Sequence, residues 1–233
     1  MVSPLLAVTG LKREARLLET PGLIVITGGG ASEALKLKLD AAFRQHGPRG
    51  IVSVGLGGAL SPGLAVGDWV VADRIVAGGQ TWTAQPIWAA ELFARLCSPM
   101  AVKAHLGAIA AGDAMVVDAA AKAALQKATG AVAVDMESHV VAQFAAAHGL
   151  PFAALRVISD GADRALPKAA QAGMKKDGGM DILAVLKSLS LDPAQLPALI
   201  RTGREAEVAF RALGLLRRHD LLGRLGVGDL DLG

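Results

Sequence analysis

An α/β fold is expected for this chain of 233 residues: a single domain around a central, partly parallel sheet flanked by helices, with a C-terminal helical segment. Three observations lead there. Short β-rich apolar runs recur from residue 5 to residue 159, several of them lack polar alternation, and Ala/Leu/Lys-rich segments separate them. A continuous apolar run suits a strand covered on both faces, and strands alternating with helices suit a largely parallel sheet. The length suits one domain over 1–233, with 180–233 as its helical tail.

In chain order, Leu5–Thr9 and Leu23–Thr27 read as strands, and 31–45 as a helix. Ile51–Gly55 and Trp69–Ala72 continue the sheet, followed by helices over 88–97 and 118–128. Ala131–Asp135 and Phe152–Ser159 are the last strands, with a helix over 137–148 between them. The stretch 162–179 holds Pro167, the adjacent lysines Lys175 and Lys176, and Gly178-Gly179, so it reads as a loop or lid. Beyond about 180 only helices are expected, at 181–189, 193–202 and 204–222, with breaks at Pro193 and Gly203.

Composition excludes several classes of function. With 52% hydrophobic residues, 19% charged residues and a mean hydropathy of +0.43, the chain can bury a large core and is no disordered segment. Its longest uncharged stretches, 50–67 and 138–155, are interrupted by Gly, Pro, Ser, His or Gln, so no membrane span is expected. Leu5–Val8 is too short for a signal peptide and Cys97 is the sole cysteine, which together point to the cytoplasm. Cys97, in the apolar helix ELFARLC, is expected to be a buried thiol. A net charge of +3 with three Trp, five Phe and no Tyr is poor in stacking platforms, so nucleic acid is not an expected partner.

Two glycine clusters follow strands, TGGGAS (27–32) and GLGGAL (55–60). Their amides can cradle a phosphate, ribose or anion, or simply form tight turns. Neither is a P-loop, and neither has the acidic residue that a dinucleotide site requires. Carboxylates are more informative. AVDMES places Asp135 and Glu137 after one apolar strand and LRVISDGAD places Asp160 at the end of another, where open α/β sheets bind ligands. A carboxyl group in a partly apolar site keeps its proton and can donate it to a leaving group, the role that suits Asp160. One that stays ionised can hold sugar hydroxyls, the role that suits Glu137. The competing reading makes Asp135 and Glu137 helix caps and Asp160 a turn residue. Ser159 is best placed to orient Asp160. The histidines form no metal-ligand or triad pattern, so no metal is expected.

The motifs GLGGAL-SPGLAVGDWVVAD (55–73), AAGDAM (110–115), AVDMES (133–138) and RVISDGAD (156–163), in this order, resemble the purine nucleoside phosphorylase and methylthioadenosine/adenosylhomocysteine nucleosidase family. GMKKDGGMDILAVLKSL and the segment after it resemble the hopanoid-associated phosphorylases, whose substrate is adenosylhopane. The resemblance implies that Met136 and Glu137 contact the ribose, that Asp160 protonates the purine, and that Glu14 places the attacking water. Met115 and Val116 match the positions that pack against adenine, Gly57 and Gly58 the substrate loop, and Gly28, Gly29, Gly30 and Leu56 the nucleophile or anion loop. Leu56 replaces a Ser common in relatives. The Gly-Asp-Pro-x-Arg phosphate motif is absent, which leaves Lys12, Arg13 and Arg16 as candidate anion ligands.

The expected activity is therefore release of adenine from a nucleoside with an apolar 5′ substituent, by phosphorolysis or hydrolysis. Methylthioadenosine/adenosylhomocysteine nucleosidase activity and a non-catalytic nucleoside-binding role are the alternatives. No cofactor is implied beyond phosphate as co-substrate, and the resemblance implies a homo-oligomer. The segment 201–224 carries six arginines against Glu205, Glu207 and Asp220. With Leu196, Leu199, Ile200, Phe210, Leu213, Leu216, Leu221 and Leu222 it suits either packing on the sheet or another subunit, or peripheral contact with an anionic membrane. Trp82 and Trp88 suit either the core or the path of a lipid tail.

Overall fold

The computed structural model describes residues 3–98, 100, 102–173 and 178–226; Lys175 and Lys176 lie outside these. Its elements run β1 (Leu5–Thr9), α1 (Lys12–Leu18), β2 (Leu23–Thr27), α2 (Ser32–His46), β3 (Gly50–Ala59), β4 (Trp69–Ala77), β5 (Gln80–Thr83), α3 (Pro86–Cys97), β6 (Ala104–Ala111), α4 (Ala119–Thr129), β7 (Ala133–Asp135), α5 (Ser138–His148) and β8 (Phe152–Asp160). There follow α6 (Lys168–Ala172), α7 (Ile182–Leu191), a 3₁₀ turn (Pro193–Gln195), α8 (Leu196–Leu213) and α9 (Leu215–Arg218).

The sheet is partly parallel, as expected, with five parallel and three antiparallel pairings. β1 pairs in parallel with β2 and β3, and β3 with β8; β6 pairs in parallel with β4 and β7. The two sets run in opposite directions and are joined by the antiparallel pairs β3·β7 and β4·β8. Five strands thereby close a ring, β3-β7-β6-β4-β8, from which β1-β2 and β5 extend. The closure depends on the length of β3. Residues Ile51 to Gly57 pair with β8, the register shifts at Gly57/Gly58, and Gly58 and Ala59 pair with β7.

Strand alternation divides the core in two, because successive side chains point to opposite faces. Leu6 and Val8 pack with Leu35 and Leu39 of α2 and Val141 of α5. Leu5 and Ala7 pack on the other face with Leu92 and Leu96 of α3 and Leu213 and Leu216 of the C-terminal helices. Both faces are covered, which is why the strands read as continuous apolar runs. α1, β5 and β6 escaped the sequence reading. α1 is short and charged, β5 is a mostly exposed edge, and β6 is built of Ala and Gly around His105, Leu106 and Ile109.

Several expectations are corrected. α8 runs through Gly203, whose position is open, since a single exposed Gly costs only about 1 kcal/mol in a helix. Of the readings left open for the C-terminal segment, packing on the sheet holds for Phe210, Leu213, Leu216, Leu221 and Leu222, which are buried. Trp88 is buried against Gly50 and Gly226 in one core cluster, and Trp82 packs on the edge of the other. Cys97 is exposed. Trp88, Leu92 and Leu96 lie four residues apart on the inward stripe of α3, and one further residue turns Cys97 off it. A Cβ on Gly50 would fall 2.2 Å from Trp88 Cη2 and 2.9 Å from the Pro151 carbonyl oxygen. Gly50→Ala should therefore destabilise the fold by about 1–3 kcal/mol, the usual range for overpacking, readable as a lower midpoint in urea.

Candidate active site

At the end of β1, Gly10 and Leu11 turn the chain into α1, whose first turn carries Glu14 inward to 2% exposure. The Glu14 carboxylate accepts hydrogen bonds from the backbone N–H of Leu11 and of Leu56, each at 2.8 Å. Burial raises its pKa above the ordinary carboxylate value, against the opposing pull of these amides. Glycines make the approach feasible. A Cβ on Gly55 would stand 2.8 Å from Glu14 Oε1, and one on Gly10 would stand 2.9 Å from Glu137 Oε1.

Asp135 closes β7 and is fixed from several sides. Its Oδ1 accepts from the N–H of Glu137 at 3.1 Å and of Ser138 at 2.9 Å, so Asp135, and not Glu137, caps α5. Its Oδ2 stands 2.7 Å from Arg156 Nη2, both side chains being 1% exposed, and also accepts from Ser138 Oγ. Ser53 Oγ accepts from Arg156 at 2.6 Å and lies 3.0 Å from Ser138 Oγ. This cap frees the Glu137 side chain to turn towards Gly10 and Gly28. Burial and then the charge of Asp135 push Glu137 up to about 7, with Arg156 pulling the other way. Contrary to the sequence reading, this carboxyl is only partly ionised near neutral pH.

The glycine turns wrap these carboxyl groups. Gly29 and Gly30 have positive φ, a conformation that costs glycine little. The bare α-carbon of Gly30 faces Met136 Cε, and that of Gly28 faces Glu137 Cγ. Gly28 N–H donates to the Thr9 carbonyl at 2.7 Å and Gly29 N–H to that of Gly10 at 3.0 Å. Gly30 N–H donates to Glu137 and Leu56 N–H to Glu14. The amides of Gly28, Gly29, Gly30 and Leu56, expected to cradle an anion, are thus engaged inside the protein. Arg13 is turned away, pairing with Glu207 of α8 at 2.6 Å and lying 4.1 Å over the Phe210 ring; Lys12 and Arg16 are exposed. Gly178 closes on the same corner, its carbonyl accepting from Lys12 N–H at 3.1 Å.

Asp160 ends β8 opposite Gly58. A Cβ on Gly58 would lie 3.2 Å from Asp160 Oδ2 and 3.3 Å from Val134 Cγ1, so Asp160 and β7 flank one bare α-carbon. Ser159 Oγ lies 2.8 Å from Asp160 Oδ1 and 3.2 Å from the Gly57 carbonyl oxygen, in reach of both acceptors. The partly apolar surroundings expected around Asp160 are replaced by an ion pair. Lys122 of α4, 2% exposed, donates to Asp160 Oδ2 and, at 2.8 Å, to the Gly161 carbonyl. Met115 and Val116 are half-buried in the segment between β6 and α4, which is tied to the chain after β8 by Leu166 N–H donating to the Val117 carbonyl at 2.8 Å. Sequence reading missed Lys122, Arg156, Ser53 and Ser138. Lys122 stands in AAAKAAL like any solvent lysine, and the other three gain meaning only through partners far along the chain.

Comparison with known proteins identifies the family and the fold. Residues 13–189 match the family described as the phosphorylase superfamily. A 5′-methylthioadenosine/S-adenosylhomocysteine nucleosidase of a Marinomonas species is 30% identical over 149 residues, which cover 56% of this chain and 64% of that protein. The chain thus spans slightly under two thirds of that relative. Solved structures share the fold. A Helicobacter pylori methylthioadenosine nucleosidase mutant with 5′-methylthioadenosine in its active site superposes with a TM-score of 0.65 at 18% identity, covering 82% of this chain and 100% of that one. A Helicobacter pylori futalosine hydrolase mutant gives 0.64 at 19% identity over the same shares. A Streptococcus pyogenes adenosylhomocysteine nucleosidase gives 0.64 at 21% identity, over 82% of this chain and 98% of that one.

The environment of Glu137 has a measurable consequence. Folded, it keeps its proton up to about pH 7, whereas an unfolded glutamate releases it near about 4.3. Between these values the folded state binds the extra proton, so its stability falls as the pH rises through the window. Glu137→Gln lacks this dependence. From pH 5 to pH 8 the variant should gain on wild type by on the order of 3 kcal/mol, read by calorimetry; a difference constant with pH would contradict the assignment.

Proposed function

The chain belongs to the phosphorylase superfamily, and from that premise we propose that it hydrolyses the N-glycosidic bond of an adenine nucleoside bearing an apolar, adenosylhopane-like 5′ substituent. The observation that carries the reading is the gathering of three carboxyl groups in three different environments, two along the end of β3 and one at the turns that follow β1 and β2. Glu14 meets Gly55 and Leu56, Glu137 lies beside Gly10 and Gly28, and Asp160 flanks Gly58. As the purine leaves, its bonding electrons make it basic and the ribose becomes oxocarbenium-like. Asp160 passes a proton to the base, Glu137 accepts hydrogen bonds from the sugar hydroxyls, and Glu14 takes the proton of the water that attacks C1′. Burial suits Glu14 to that task, because a carboxylate whose ionised form is disfavoured is a better base.

Water is favoured over phosphate on a specific ground. Phosphate needs unengaged amides or a cation beside C1′, yet the N–H groups of Gly30 and Leu56 serve Glu137 and Glu14, and Arg13 serves Glu207. The apolar 5′ group is supported by the outer surface. Ile182, Leu183, Leu186 and Leu191 of α7 and Leu196 and Ile200 of α8 are exposed, with Lys187, Arg201 and Arg204 in the same helices. Apolar side chains beside basic ones suit the surface of an anionic bilayer, where a lipid-linked nucleoside would reside. No helix among the described residues is long and apolar enough to cross a membrane. Methylthioadenosine, whose 5′ group is also apolar, is the second reading, favoured by the Marinomonas relative.

Adenine should be released from adenosine, methylthioadenosine and adenosylhopane at rates unchanged by phosphate, with the sugar product being free ribose or its 5-substituted form and not the corresponding 1-phosphate; formation of the phosphate ester would refute hydrolysis. Asp160→Asn should lower kcat by about 10² or more, the usual contribution of general-acid help, with the fold intact by circular dichroism. The full chain should co-sediment with phosphatidylglycerol vesicles, less at high salt, and the pair Leu183→Glu and Leu186→Glu should abolish this. Truncation of α8 and α9 is no test, since their leucines belong to the core.

A further inference from the structure

Lys122 is the least expected side chain of the site. A lysine is almost never fully buried unless it is paired, and an ammonium taken out of water costs several kcal/mol unless a partner compensates. Asp160 is that partner, with the Gly161 carbonyl as a second acceptor. The helix that carries Lys122 is held in place independently, by Asp118 Oδ1 accepting from Ala121 N–H at 2.7 Å. On the Asp160 side, Oδ1 accepts from Ser159 Oγ and Oδ2 from Lys122 Nζ, so both oxygens face donors. Arg164, Arg201 and Glu205 line the adjoining cleft. Among the described residues, Lys122 is the cation that pairs with the Asp160 carboxylate.

With a hydroxyl at Oδ1 and an ammonium at Oδ2, Asp160 stands against a group that can supply the proton a departing purine needs. We propose that Lys122 supplies it, acting through Asp160 as a positioning and proton-supplying residue that does not itself touch the nucleoside. As the C1′–N9 bond breaks and its electron pair passes into the purine, the base takes a proton from Asp160, and Asp160 takes one from Lys122 Nζ. Water bonds to C1′ and its proton goes to Glu14. The cycle leaves free adenine, the sugar with a new hydroxyl, a neutral Lys122 amine and a protonated Glu14; exchange with solvent resets both. The inference rests on the hydrolytic reading and deepens it.

The test compares two leaving groups. Adenine needs a proton to depart, whereas the 4-nitrophenolate of 4-nitrophenyl β-D-riboside departs without one. Lys122→Met should lower kcat for adenosine by about 10² or more, the range of general-acid help, with KM within a few-fold. Cleavage of the nitrophenyl riboside should stay within about threefold, which also reports an intact site. Lys122→Arg should not restore adenine release, because a guanidinium keeps its charge and hydrogen bonds but does not give up its proton. Equal losses on both substrates in Lys122→Met, or recovery of adenosine cleavage in Lys122→Arg, would overturn the proposal. A wild-type enzyme that releases no adenine from any adenine nucleoside would overturn the hydrolytic reading itself, an outcome visible before any variant is compared.

Discussion

One guanidinium organises the centre of this molecule. Arg156 lies in the middle of β8, 1% exposed, opposite Gly55 on β3 and Val70 on β4. Its ion pair with Asp135 spans the ring of strands, and Ser53 and Ser138 complete the hydrogen bonding. A buried pair of this kind is weak evidence of stability, but removing one partner strands the other at a cost of about 3–5 kcal/mol. The pair sets where β7 ends and α5 begins, and hence where Glu137 turns inward.

One buried cation beside several carboxyl groups also explains their differences. Asp135 has the guanidinium, two backbone N–H groups and a hydroxyl, and its charge is compensated. Glu137, one turn away, meets the charge of Asp135 in a dry setting and rises to about 7. Glu14 has amides but, among the described residues, no cation in hydrogen-bonding reach, and burial prevails. Asp160, more exposed, has its own ammonium in Lys122. Separate environments for chemically similar groups are what acid–base chemistry on a glycosidic bond needs.

The C-terminal helices serve two purposes that a single amphipathic reading conflates. From Ala209 onward their leucines complete the core over α3 and β8. The apolar residues of α7 and the start of α8 stay outside. The arginines divide likewise: Arg201 lines the cleft beside Asp160, while Arg211 and Arg218 lie on the exposed side of the core-forming part.

Local chemistry was legible in the sequence. The alternation of Leu5, Leu6, Ala7 and Val8 between two cores produces an unbroken apolar run, so the strands and the α/β class follow from periodicity alone. Asp160 and Glu137 stand out because acids directly after apolar strands are few. What only the tertiary structure decided is pairing. The sequence has no mark for the register shift at Gly57/Gly58 that lets β3 change partners and close the ring. Nor does it mark that Lys122 reaches Asp160, 38 residues on, or that Arg156 meets Asp135. Ionisation followed the same division. Whether Glu137 carries a proton depends on burial and on the nearest charge, quantities set by distances through space rather than by spacing along the chain.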